Sequence, residues 1–345
     1  MLGWTGIHER HSVLKPIAIC LASGICLLTP SLLLANASGF AEIVEQAKHG
    51  TVGILKQADA QSTSPDRNPL SVRGSGIYLG DGYILTARHA TKLPGGGATV
   101  DPSHISVISS TLKEASATLI GVNQFLDVAL YHIPREMLPH GLSARTFSQV
   151  EGLPGEQVFT VGYPLGWGPA ISYGYIGNPH TFLQTIQSRL LQVDLSACSG
   201  NSGGGLFNTQ GEIVGLVHAI IQTETTREER RCSRFAFAVP GPLVHKIVTA
   251  LIQGKPFHFS KLGLQLTSVK IGQQWHMAVA QATGPARRAG FKKGDILLSI
   301  DNEPVDSASQ LKTYLIEQTR PFQPVSIRIL RDHKEKLIRV ILGKA

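Results

Sequence analysis

From about residue 50 to residue 240 the chain is cut into short apolar or alternating runs by Gly, Pro, Asn and Asp, as in GSGIYLGDGYILTARHA, QVFTVGYP and GEIVGLVHAII. An amphipathic helix sustains its apolar stripe over about ten or more positions, and these runs end before such a stripe can form. Side chains that alternate across a strand fit them instead. Many short strands joined by turns close into a sandwich or a barrel, so the region is expected to be all-β. The polar stretch QADAQSTSPDRNPL, residues 57–70, is expected to be an exposed loop among them.

The period changes at PLVHKIVTALI, residues 242–252, where apolar positions fall on one helical face, Pro242 suits a first turn and Gly254 a stop. This helix closes the strand-rich region, and residues 254–260 read as a short linker. From Leu262 the chain restarts as a small α+β unit with strands in GLQLTSV, MAVAQA, DILLSI, VSIRIL and LIRVIL and helices near GPARRAG and SASQLKTYLIEQ. At 345 residues the chain is longer than one hydrophobic core comfortably supports, so two unlike domains are expected, 38–253 and 261–345.

The first 37 residues differ from the rest, with Arg10 and Lys15 preceding the apolar stretch IAICLASGICLLTPSLLLA, which ends in Ala35, Asn36, Ala37. Basic, then apolar, then small-x-small is the plan of a secretory signal cleaved after Ala37; the competing reading is an uncleaved membrane anchor through residues 13–35. A periplasmic or otherwise exported location is expected. Cleavage removes Cys20 and Cys26 and leaves Cys198 and Cys232, a pair that an oxidising compartment favours as a disulfide. Lys and Arg total 32 against 24 Asp and Glu, a net +8 spread along the chain, which gives no basic patch for nucleic acid. There is no Cys-x-x-Cys and no paired ligand spacing among the 13 histidines, so no metal site is expected.

The run ACSGNSGGGL, residues 197–206, sets Ser202 among glycines. A serine hydroxyl is a poor nucleophile until a base takes its proton and a third group fixes that base. His89, after YILTAR, and Asp127, opening DVALYHI, offer that base and that group. Alone, each is an ordinary histidine or turn aspartate; with Ser202 they form a candidate triad. The glycines supply the backbone angles and close approach that an oxyanion hole needs, with the Gly200 and Ser202 N–H groups as donors and Asn201 acting through its backbone. The same run satisfies the G-x-S-x-G elbow of α/β-hydrolases, but that fold needs a helix straight after the serine and its Asp and His later in the chain. Here GGGLFNTQGEIVGL reads as strand, turn, strand, which leaves that fold without support.

TARHA around His89, DVAL around Asp127 and GNSGGGL around Ser202, in that order, resemble the signature blocks of HtrA/DegP-type serine proteases. FAEIVEQAKHGTVGI, GSGIYLGDGYILTA and VGYPLG extend the resemblance, and KLGLQL with GPARRAGFKKGDILLSIDNEPV resembles a PDZ domain, so about residues 39–343 are covered. The resemblance implies two packed six-stranded β-barrels of the chymotrypsin-like kind with the triad in the cleft between them, followed by one PDZ domain. It implies an ATP-independent endopeptidase without cofactor that cleaves misfolded or unfolded exported proteins, assembles as a homotrimer and binds peptide C-termini. A protease-shaped chaperone or sensor that binds unfolded chains is the alternative of a different class.

In chymotrypsin-like folds the residue six places before the nucleophile floors the pocket for the side chain preceding the scissile bond; here it is Ser196, and without a carboxylate a demand for Lys or Arg is not expected. Val217, His218 and Ala219 are expected in the pocket wall, with a solvent-facing His218 as the other reading. The PDZ resemblance puts a peptide carboxylate on the backbone of Lys261, Leu262, Gly263 and Leu264, with the helix near Ser309 to Gln318 as the facing wall. Two residues depart from the family pattern: Gly205 replaces the usual Pro, and Cys198 occupies a place where HtrA proteins generally lack cysteine. By likeness to many secreted chymotrypsin-like proteases, a Cys198–Cys232 bond braces the pocket loops. The run TREERR, residues 226–231, reads as a solvated loop, with a partner-binding patch as the lesser reading.

Overall fold

The computed structural model describes residues 30–55, 72–92, 101–183, 188–220, 232–255 and 257–345. The expectations for the basic and apolar start of the leader, for the loop at 57–70 and for the run at 226–231 lie outside the described residues. Helix α1, Pro30–His49, runs through the expected cleavage site, and no described helix is long and apolar enough to cross a membrane. Residues Met1–Ala41 and Glu42–Ala345 are separate compact units, and the second holds everything that follows.

The first barrel is built from β1 (Thr51–Leu55), β2 (Val72–Gly80), β3 (Tyr83–Ala87), β4 (His104–Ile108), β5 (Glu114–Asn123) and β6 (Val128–His132), with one helical turn, α2 (Arg88–Thr91), after β3. It closes in the order β1-β2-β3-β6-β5-β4. The second uses β7 (Gln157–Gly162), β8 (Ala170–Phe182), β9 (Arg189–Cys198), β10 (Gly205–Asn208), β11 (Ile213–Ile220) and β12 (Cys232–Pro240), closed as β10-β11-β12-β9-β8-β7. Alternation in the sequence becomes an inside and an outside: along β9, Leu191, Val193, Leu195 and Ala197 are buried while Asp194 and Ser196 are exposed. Val52, Ile54, Ile84, Val107 and Tyr131 fill the first barrel, and Val158, Ile176, Leu206 and Val214 join the β9 residues in the second.

Helix α3 (Gly241–Ile252) forms where the period changed, with Pro242 in its first turn and Gly254 at φ +63° just past its end. It buries Leu243, Val244, Ile247 and Val248. The stretch expected to be a linker is packed: Phe259 is buried and its ring stacks on Phe125 at 4.4 Å. The C-terminal domain comprises β13 (Ser260–Lys261), β14 (Leu264–Ile271), β15 (Gln274–Ala282), α4 (Gly284–Arg288), β16 (Ile296–Ile300), β17 (Glu303–Pro304), α5 (Ala308–Glu317), β18 (Pro324–Arg331), β19 (Lys334–Ile341) and β20 (Gly343–Lys344). Its main sheet runs β14-β15-β16-β18-β19, and its own core includes Val279, Phe291, Leu297, Leu311 and Ile327. Helix α5 starts on a capping box, with Ser307 Oγ accepting the Gln310 N–H and the Gln310 side chain reaching back to the Ser307 backbone.

A buried charge cluster joins the domains. Arg189, the first residue of β9, is 1% exposed, and its Nε and Nη2 donate to the two carboxylate oxygens of Glu317 in α5 at 2.6 and 2.8 Å. Nη1 donates to the Pro179 carbonyl at 3.1 Å, and Nη2 also to Glu151 at 2.5 Å. Burial pulls the guanidinium pKa down, but Glu317 and Glu151 outweigh it and hold it above its ordinary value.

Candidate active site

His89 lies in α2 and Asp127 in the turn before β6, so both are carried by the first barrel. Asp127 adopts φ +58°, a left-handed backbone that Asp tolerates better than most side chains. The turn is fixed by the Leu126 N–H on Asn123 Oδ1 at 3.0 Å and the Arg88 N–H on the Asp127 carbonyl at 2.7 Å. Arg88 is itself paired with Asp101 at 2.6 Å, which anchors α2 at a second point. From this turn the Asp127 carboxylate accepts the His89 backbone N–H on Oδ1 at 3.0 Å and faces ring Nδ1 with Oδ2.

A second imidazole shares that oxygen. His218 Nδ1 lies obliquely 3.0 Å from Asp127 Oδ2, and the His89 and His218 rings meet edge to face with centroids 5.3 Å apart. Burial pushes the Asp127 pKa up, yet the facing imidazoles of His218 and His89 outweigh it and hold the carboxyl well below the usual range. An ionised carboxylate only accepts, so the hydrogen-bonded Nδ1 of His89 carries a proton and a neutral His89 keeps its lone pair on Nε2. These three side chains are also the one group of potential metal ligands among the described residues with ligand atoms within 4.8 Å of one another. Two rings facing a single carboxylate account for that closeness.

Ser202 belongs to the second barrel, in the turn between β9 and β10. Its Oγ donates to the His218 carbonyl at 3.1 Å, and a hydroxyl has one proton to give, so in this state it does not donate to His89. The Ser199 carbonyl accepts from the Leu165 N–H at 2.6 Å, and the planar peptide then turns the Gly200 N–H away from Leu165. Among the described residues neither the Gly200 nor the Ser202 N–H has an acceptor. Gly200 has φ +104° with the Tyr163 carbonyl where a Cβ would stand; Gly203 has φ +85° with the Ser75 carbonyl there.

Asn201 departs from expectation. Its N–H donates to the Cys198 carbonyl and its Oδ1 accepts the Cys198 N–H, both at 3.0 Å, so it closes the turn and its backbone N–H is not free for an oxyanion. Ser75, in β2, was not singled out by sequence reasoning, although GSG at 74–76 was a visible signal. Its N–H donates to the Ser202 carbonyl at 2.8 Å and its Oγ to the Gly200 carbonyl at 2.7 Å, tying the Ser202 turn to the other barrel.

Two of the residues expected in the pocket wall are placed by their side chains. Val217 is part of the second barrel's core, and His218 is 9% exposed and turned to Asp127, so the solvent-facing alternative is corrected. The cause is a β-bulge: Val217 pairs with Ala238 and Ala219 with Phe237, which leaves His218 as the extra residue. The Ala219 side chain lies outside the described residues, and Ser196 is exposed on the outer face of β9.

Cys198 and Cys232 are bonded, directly opposite one another where β9 ends and β12 begins. The bond closes a loop of sequence separation 34, for which chain entropy predicts about 3–4 kcal/mol. Replacing both cysteines by serine is expected to lower the urea unfolding free energy by about 2–4 kcal/mol relative to the oxidised protein. An unchanged midpoint would contradict this. In the C-terminal domain Leu262 is buried, Lys261 pairs with Gly343 in β20, and Leu264 opens β14. Gly263 has φ +85° with the Thr283 carbonyl at the place of its missing Cβ, and its N–H has no acceptor among the described residues.

Residues 74–216 match the family model of a trypsin-like peptidase domain, and residues 260–342 that of a PDZ domain. The chain is 29% identical over 297 residues to a probable periplasmic serine endoprotease DegP-like of Halomonas elongata, covering 82% of this chain and 58% of that protein. It thus spans about three fifths of the DegP-like relatives it matches. To the serine endoprotease DegS of Escherichia coli it is 26% identical, covering 96% of this chain and 97% of that one. A solved HtrA-type protease, AlgW with tripeptide, shares the fold with a TM-score of 0.70 at 24% identity, over 89% of this chain and 97% of that chain.

Proposed function

We propose that this chain, with its trypsin-like peptidase domain and single PDZ domain, is a serine endopeptidase of the HtrA/DegP type working through Ser202, His89 and Asp127. The observation that carries the reading is the Asp127 carboxylate on the backbone N–H and ring Nδ1 of His89, with the His89 ring set edge to face on His218, whose carbonyl accepts the Ser202 hydroxyl. Rotation about χ1 moves the Ser202 hydroxyl from the His218 carbonyl to His89 Nε2, which takes its proton as Oγ attacks a peptide carbonyl. The Gly200 and Ser202 N–H groups stabilise the tetrahedral oxyanion. His89 then gives the proton to the leaving amine, and water repeats the cycle on the acyl-enzyme.

The substrates are misfolded or unfolded exported proteins, handled in the periplasm or an equivalent compartment by a homotrimer. Peptide C-termini add to β14 as a strand, with the carboxylate on the loop at Lys261 to Leu264 and α5 as the facing wall. An active-site fluorophosphonate is expected to label Ser202 in the intact protein, and Ser202→Ala to lose labelling and to lower casein cleavage by about 10⁴-fold or more. Equal cleavage by Ser202→Ala would refute the enzyme reading. Suppression of aggregation by a protein that never cleaves would favour the chaperone alternative.

A further inference from the structure

The two barrels each bring part of the site: His89 and Asp127 come from the first, Ser202 and His218 from the second. Both contacts that fix the Asp127 carboxylate from within its own barrel come from one residue, His89, so they are lost together if α2 shifts. The His218 imidazole is the contact that reaches the same carboxylate from the other side of the cleft. It is there because His218 is the extra residue of the β11 bulge, which turns its side chain inward and frees its carbonyl from the ladder. Neighbouring Val217 is pinned to the serine turn by two backbone bonds, Gly203 N–H to Val217 carbonyl at 2.8 Å and Val217 N–H to Gly204 carbonyl at 2.9 Å. The bulge is thus fastened to Ser202 on one side and to Asp127 on the other.

Resting on the protease reading, we propose that His218 is a positioning residue of the reaction: its imidazole sets Asp127, and through it His89, in register with Ser202, while its carbonyl seats the Ser202 hydroxyl between turnovers. The imidazole acts across the junction of the two barrels, where a displacement of about 1 Å is enough to lower a rate by about 10²-fold. His218 touches neither substrate nor reacting atoms through its ring, so its effect falls on kcat and leaves KM nearly unchanged.

The test uses the full chain with a fluorogenic peptide substrate and two variants. His218→Ala removes the donor, whereas His218→Asn places an amide N–H where the imidazole Nδ1 stood. His218→Ala is expected to lower kcat by about 10²-fold with KM within about twofold, and His218→Asn to recover most of the loss. A kcat for His218→Ala within about twofold of the parent, or equal losses in both variants, overturns the proposal. Should His218→Ala fold poorly, ¹⁵N-resolved NMR of the unmodified protein decides instead: His218 is expected to carry its proton on Nδ1, and a proton on Nε2 alone overturns the proposal. Absence of cleavage and of Ser202 labelling in the parent protein would sink the protease reading, and the tautomer would still report on the His218–Asp127 contact.

Discussion

Asp127→Asn is expected to reduce kcat by about four orders of magnitude while the barrels stay folded. Three groups converge on this carboxylate: the His89 backbone N–H and ring Nδ1, which bond it, and the His218 ring, whose Nδ1 lies 3.0 Å from Oδ2. An amide has one acceptor oxygen and one NH₂, so it cannot serve all three. With its oxygen toward the rings it sets the NH₂ against the His89 backbone N–H. Reversed, it sets the NH₂ against both rings and drives His89 to the tautomer whose Nε2 is already protonated and useless as a base. A kcat within about tenfold of the parent would remove Asp127 from the catalytic machinery.

The same substitution has a signature in acid. Burial raises the Asp127 pKa and the His218 and His89 contacts more than reverse it, so the folded value lies below the unfolded one. A depressed folded pKa contributes stability that is fully present above the unfolded value, about 4, and is lost as pH falls toward the folded value. Urea midpoints are therefore expected to fall for the parent from about pH 5 downward, and to fall less for Asp127→Asn over the same window. Identical acid slopes would contradict the depressed pKa.

The second large effect lies between the domains. Glu317→Ala leaves the buried Arg189 guanidinium, among the described residues, with one carboxylate, that of Glu151, whose side chain is 49% exposed, and is expected to destabilise the fold by about 3–5 kcal/mol in urea unfolding. The pair Arg189→Met with Glu317→Leu is expected to recover most of that, because apolar side chains of similar bulk do not leave a charge unpaired in the interior. A double variant as unstable as Glu317→Ala would show that shape, not charge, governs this interface.

Much of the architecture was legible because it depends on local pattern. Short runs such as QVFTVGYP, which became β7, the helical change at Pro242 and the restart after Leu262 all became the expected elements. The glycines of the Ser202 turn were legible for a similar reason, since Gly200 and Gly203 have no room for a side chain. The solvent-facing alternative for His218 failed because counting along β11 assumes an unbroken strand, and one extra residue sends side chains to the opposite face. Nothing in the alternation of VGLVHAII announces that bulge. Asn201 was misread because a turn's own hydrogen bonds decide which amides are free. The Arg189–Glu317 pair, 128 positions apart, depends on how two domains dock and has no local signal at all.

Barrel closure also bears on how such a protein survives its own work. Unfolded polypeptides seek unpaired strand edges, and a sheet that offers one is a seed for co-aggregation. Both peptidase barrels are closed, and the edges of the main C-terminal sheet are β14 and β19. β14 is the edge proposed to receive a peptide terminus, while β19 sets Lys334, Lys336 and Arg339 beside the exposed Leu337 and Ile341. On the proposed reading, charge at β19 and a defined end at β14 let the chain hold a misfolded client without becoming part of the clump.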